Sequence, residues 1–134
     1  MNPAAAAPLL LAVLASGSAA ACGEGIAGAQ RLSGGGDVLA FAPRPAPWAL
    51  GRPFSIELQV CPRAGVAPPD ELRVDARMPE HGHGMNYRPS LVALGGGRWR
   101  ADGLLLHMAG RWELSFELRR GEQVQRLVQV LQLR

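Results

Sequence analysis

Three stretches of the chain alternate apolar and polar side chains with a strict period of two. In the first, Phe54, Ile56, Leu58 and Val60 are interleaved with Ser55, Glu57 and Gln59. In the second, Leu72, Val74, Ala76 and Met78 are interleaved with Arg73, Asp75 and Arg77. In the third, Trp112, Leu114, Phe116 and Leu118 share one parity of residues 111–119. Successive side chains of a strand point to opposite faces, so each pattern predicts a half-buried strand of an antiparallel sheet. Shorter candidates are residues 38–41, 90–94 and 98–101, the last with Trp99 pointing inward. Leu104-Leu105-Leu106-His107-Met108 is apolar enough to be a buried strand. Residues 123–133 carry apolar side chains on both parities, Val128 and Val130 on one and Leu127, Leu131 and Leu133 on the other. That pattern predicts a strand interrupted by a bulge.

Gly- and Pro-rich punctuation separates these runs, at residues 62–70, Gly95-Gly96-Gly97, Ala109-Gly110 and Arg120-Gly121-Glu122. The loop that follows Met78 begins at Pro79, which cannot donate to a ladder and so ends its strand. Pro43, Pro45 and Pro47 make an extended connector, with Trp48 placed to cap one end of the core. No stretch has a helical period. About seven short strands imply an all-β protein whose two sheets pack face to face. An immunoglobulin-like β-sandwich is the expected architecture, with a small Greek-key barrel as the alternative.

Residues 1–21 stand apart. They carry no charged side chain, and the apolar run Leu9–Ala15 is followed by small residues up to Ala21. This is the shape of an export signal, and the apolar run is too short to span a bilayer. Residues 22–36 read as a flexible Gly- and Ala-rich linker, and residues 37–134 as the folded domain. Cys22 opens the linker, and two readings stay open for it. Ala19-Ala20-Ala21-Cys22 approximates a lipobox, which would make Cys22 a lipid acceptor and the protein membrane-anchored. Alternatively Cys22 pairs with Cys61, the other cysteine, as export permits. The net charge is +3, every basic residue is Arg, and the arginines are scattered among acids. There is no basic stripe of the kind a nucleic-acid binder shows.

The candidate chemistry lies in Met78-Pro79-Glu80-His81-Gly82-His83-Gly84-Met85 and in His107-Met108. Together these hold every His and three of the four Met. Thioethers are soft ligands suited to Cu(I), and imidazoles bind both copper oxidation states. The copper candidates are therefore His81, His83, Met85, His107, Met108 and Met78, with Met78 also fitting a core position. Zinc on His81, His83 and His107 is the weaker alternative, because the Met residues favour a softer ion. Phosphate-binding glycine loops, nucleophile elbows and catalytic triads are absent, so no enzyme is expected. The competing reading is a metal-free structural or interaction domain of the cell envelope.

The first motif, followed by Pro89, the Gly95-Gly96-Gly97 turn and then His107-Met108-Ala109-Gly110-Arg111-Trp112-Glu113-Leu114, resembles the YtkA-like domain family. The resemblance spans roughly residues 52–133. It implies a small extracytoplasmic immunoglobulin-type sandwich and a copper-handling role in the periplasm, with a copper-receiving or envelope protein as partner. The ligands it implies are Met78, His81, His83 and Met85 from the first motif and His107 with Met108 from the second. It implies a structural role for Trp112.

Overall fold

The computed structural model describes residues 22–134; the export-signal expectation for residues 1–21 lies outside them. The described chain is all-β. Its strands are β1 (Gln30–Gly34), β2 (Asp37–Arg44), β3 (Phe54–Pro62), β4 (Glu71–Met78), β5 (His83–Gly84), β6 (Ser90–Gly95), β7 (Arg98–Leu104), β8 (Gly110–Arg120) and β9 (Gln123–Leu133). They form two antiparallel sheets, ordered β1-β2-β3-β7-β6 and β5-β4-β8-β9. The two strands beyond the expected seven are β1 and the two-residue β5.

The period-two patterns decide which faces meet. From β3, Phe54, Ile56, Leu58 and Val60 are buried, and from β4, Leu72, Val74, Ala76 and Met78. Trp112, Leu114, Phe116 and Leu118 of β8 complete the inner layer, with Leu39 and Phe41 of β2 opposite. Each large side chain removed from water in this way contributes about 1.5–3 kcal/mol before entropy is subtracted. Trp48 packs against the core as expected, its ring edge-on to Phe54 at 5.7 Å and its Nε1–H donating to the Gln30 side-chain oxygen.

Three expectations are corrected. Residues 22–36 are not a linker. Gln30–Gly34 pairs with Phe41–Asp37 as a regular edge strand. Ile26 is buried, and Gly23 N–H donates to the Gln59 side chain at 2.9 Å. Composition misled here because a short edge strand needs few apolar residues. Second, β7 stops at Leu104, and residues 105–109 form the crossover between the two sheets instead of a strand. Third, β9 contains no bulge. Its register with β8 is unbroken from Gly110↔Leu133 to Arg120↔Gln123. Leu127, Leu131 and Leu133 face the core, while Val124, Val128 and Val130 face solvent.

Two long-range ties fasten the sandwich. Cys22 and Cys61 form a disulfide, with Cα atoms 6.0 Å apart. A sulfur in a disulfide holds no thioether-linked lipid, so the lipid-acceptor reading of Cys22 and this bridge exclude one another. The second tie runs from Arg120 at the end of β8, which donates twice to the buried Asp37 carboxylate at the start of β2, at 2.7 and 2.9 Å. These hydrogen bonds raise the Arg120 pKa above its ordinary value.

Replacing both Cys22 and Cys61 by Ser should lower stability by about 2–4 kcal/mol, chiefly by freeing the unfolded chain. Denaturant unfolding of oxidised wild type and the double variant measures this; equal midpoints would show that the bridge does not constrain the chain. A pH effect follows from Asp102. The Ser55 hydroxyl and Arg100 donate to its carboxylate and hold its pKa below the ordinary value. A lowered folded pKa contributes stability that is present above the unfolded value and lost as pH falls through the folded one. Asp102→Asn should therefore flatten that part of the acid limb of the melting temperature against pH, and an unchanged acid limb would contradict it.

Candidate functional site

The site is built by the ends of two strands that belong to different sheets. After Met78, Pro79–His81 makes one turn of 3-10 helix. Gly82 closes it in the left-handed conformation at φ 65°, its N–H donating to the Pro79 carbonyl. A residue with a Cβ would be strained there. The chain then reverses onto β4, with His83 opposite Met78 and Gly84 opposite Arg77. Met85 N–H donates to the Ala76 carbonyl at 3.2 Å. A Cβ at Gly84 would stand 3.1 Å from that same carbonyl, so glycine lets the loop close on β4.

The other half comes from the crossover. Leu106 is buried and its carbonyl accepts from Gly51 N–H at 2.8 Å. The Trp112 Nε1–H donates to the Met108 carbonyl at 2.9 Å. Trp112 is fully buried, so its indole holds the crossover from beneath while the ring fills the core. Gly110, at φ 131°, lies directly over Met78: a Cβ there would be 2.7 Å from the Met78 Cε. The core thus dictates where His107 sits.

These two halves meet. The ring centroids of His81 and His83 are 5.8 Å apart, and those of His83 and His107 are 5.5 Å apart at an interplanar angle of 26°. His107 in turn stands edge-on to Trp112 at 5.6 Å. All three imidazoles of the chain therefore form one row from solvent down to the core. His81 and His83 are exposed and His107 is half-buried. His83 Nδ1 lies 3.3 Å from the Gly84 carbonyl, which it can engage as a donor.

The thioethers divide. Met85 is half-buried, with its side chain packed on the core beside this loop, and Met108 is 36% exposed. Met78 has no exposed surface and its methyl lies against Gly110, so it is corrected to a core residue. Sequence reasoning passed over the anchoring role of Trp112. Its signal is the four-residue offset from Met108 to a Trp whose N–H needs a partner once buried.

The donor set fits a soft ion in its chemistry. Two imidazoles sharing an ion at bond lengths of about 2.0 Å have centroids roughly 5–6 Å apart, the range spanned by this row. Among the described residues, however, no group of three or more His, Cys, Asp or Glu side chains is arranged to hold one metal ion. Bringing the nitrogens to one point requires rotation of the exposed His81 and His83 side chains, a ps–ns motion at a surface.

The chain matches no protein-family model, no curated protein and no solved structure.

Trp112→Phe keeps most of the buried ring but removes the donor to Met108, and should cost about 1–3 kcal/mol. It should also shift the His107 imidazole resonances in NMR spectra while leaving those of the Asp37–Arg120 end in place. An unmoved His107 would show that the indole does not position the crossover.

Proposed function

We propose that this chain is an exported copper-binding domain, an immunoglobulin-like sandwich of the YtkA-like kind that holds Cu(I) at one end. The observation that carries the reading is the row of His81, His83 and His107, drawn from two distant segments, with Met85 and Met108 close by in sequence. Surface residues that need no common neighbour would not be expected to gather every imidazole of a chain in one place. His83, His107 and Met85 are the central ligands of this reading, with His81 and Met108 completing or exchanging with them. Imidazole with thioether is a soft set, which favours Cu(I) over zinc. Exposed outer ligands suit an ion that is passed on to another protein, because a partner can reach it without unfolding the site. The fixed inner end, His107 on Trp112, would set where the ion rests. The disulfide agrees with an oxidising compartment outside the cytoplasm.

A metal-free interaction domain is the second reading. It is favoured by the lack, among the described residues, of any group of three or more His, Cys, Asp or Glu placed to hold a metal ion, and by the exposure of His81, Tyr87 and Met108.

Anaerobic Cu(I) titration against a chromogenic chelator separates the two. The wild type should bind one equivalent, and His83→Ala with Met85→Ala should weaken binding at least tenfold, a loss of about 1.4 kcal/mol or more. A stoichiometry near zero, or the same affinity in the folded double variant, would leave the interaction domain.

A further inference from the structure

The four sheet edges of this sandwich are not protected alike. β1 is five residues long. On β4, the short β5 covers Arg77 and Met78, and the Asp75 carboxylate accepts from Ala76 N–H at 2.8 Å. β6 is broken by an irregularity between Ala93 and Gly95. Short length, charge and bulges are the devices that blunt an edge. β9 has neither short length nor a bulge, and little charge. It runs for eleven residues without Pro, Gly or a register shift, and Arg126 is its only charge.

The ladder itself shows which backbone groups of β9 are free. The Arg119 carbonyl accepts from Asp70 N–H on the β4 side, so odd residues of β8 bond toward β4 and even ones toward β9. Arg120 pairs with Gln123, so it is the odd residues of β9 that bond to β8. Val124, Arg126, Val128, Val130 and Gln132 therefore turn their N–H and C=O groups to the open edge. The Gln129 side chain donates to the Val130 carbonyl, a single exposed contact along that row. The side chains of Val124, Val128 and Val130 are 46%, 37% and 44% exposed on the outer face. β1 approaches β9 from the other, core-facing side, where Gly34 and Gly35 lie against the Leu127 and Gln125 side chains.

We propose that β9 pairs antiparallel with β9 of a second copy of this chain, about a two-fold axis through Val128, joining two four-stranded sheets into one of eight. The strand is self-complementary in this register. Val128 meets its own copy, Arg126 meets Val130, and Val124 meets Gln132, so all five outward residues find outward partners. Centring the axis on Arg126 would set two like charges together, and centring it on Val130 would set Arg126 against Arg134. Moving the axis midway toward either neighbour leaves an end residue against the Gly121-Glu122 turn or against Arg134, both outside the strand. Charge also agrees across the axis. Val130 stands between Glu113 of its own β8 and Arg126 of the second copy, and the two charges lie on the same outer row about 9–10 Å apart at the backbone. The long Arg126 side chain can cross Val130 toward Glu113, twice by symmetry. An isologous pairing of this kind closes on itself and does not propagate into fibres.

Sedimentation equilibrium of the oxidised chain, from micromolar to near-millimolar concentration, tests the pairing. The wild type should show a reversible monomer–dimer equilibrium. Val128→Pro removes an outward N–H while leaving the bonds to β8, and edge strands tolerate Pro in that position. It should raise the dissociation constant at least about tenfold with unchanged unfolding of the dilute protein. Arg126→Glu should weaken association roughly tenfold, and adding Glu113→Arg should restore it; this pair decides the matter if Val128→Pro does not fold. A wild type that stays monomeric throughout, or a dimer unmoved by both Val128→Pro and Arg126→Glu, would overturn the proposal.

Discussion

Each sheet of this protein has one face that must leave water, and the two faces can do so only against each other. Everything else in the fold is arranged around that constraint. Ile56 and Leu58 on one side and Leu114 and Phe116 on the other are fully buried. The strands that carry them are joined by segments that must climb from one sheet to the other. The crossover at residues 105–109 is one of these, and it emerges where the inner layer ends. Its path is fixed by what lies beneath it. Trp112 fills the end of the core and offers its one N–H to the Met108 carbonyl, while Met78 occupies the space that a Gly110 side chain would need. The row of imidazoles thus rests on the hydrophobic core, although it faces solvent.

The same constraint explains why the row is graded. His107 touches Trp112 and is half-buried, whereas His81 and His83 hang from a loop that needs glycine to turn back on β4. On the proposed copper reading, an inner imidazole seated on the core and outer ones open to solvent would suit an exchangeable ion. At the far end, by contrast, the Asp37–Arg120 pair and the disulfide fasten β2 and β3 to their neighbours, so the two ends of the sandwich differ in kind.

Much of the fold was legible in the sequence because burial on one face writes itself as alternation. β3, β4 and β8 were read from that alone. β9 was legible as a strand over residues 123–133, but the bulge expected in it is absent, because its valines alternate on the solvent side. Apolar residues on both parities look like a slipped register unless the outward row is allowed to be apolar. β1 was invisible because Gln30–Gly34 offers few apolar residues to a pattern search. At the site, the six candidate ligands were visible as residue types, yet their meeting depends on the β4–β5 reversal and on the crossover, which no local pattern encodes. Met78 was ambiguous for the same reason. Its parity already pointed inward, and its contact with Gly110 makes it core.

The central claim is that His81, His83 and His107 act with Met85 and Met108 as one site. Its most direct test is an NMR titration of the folded protein with Cu(I), following the imidazole ring protons and the methionine methyl groups together. The account predicts that the three imidazoles and the Met85 and Met108 methyls move in step and stop at one equivalent, while the buried Met78 methyl does not saturate with them as a ligand. If a single imidazole moves alone, or if the resonances drift without a common end point, the row of histidines is not one site.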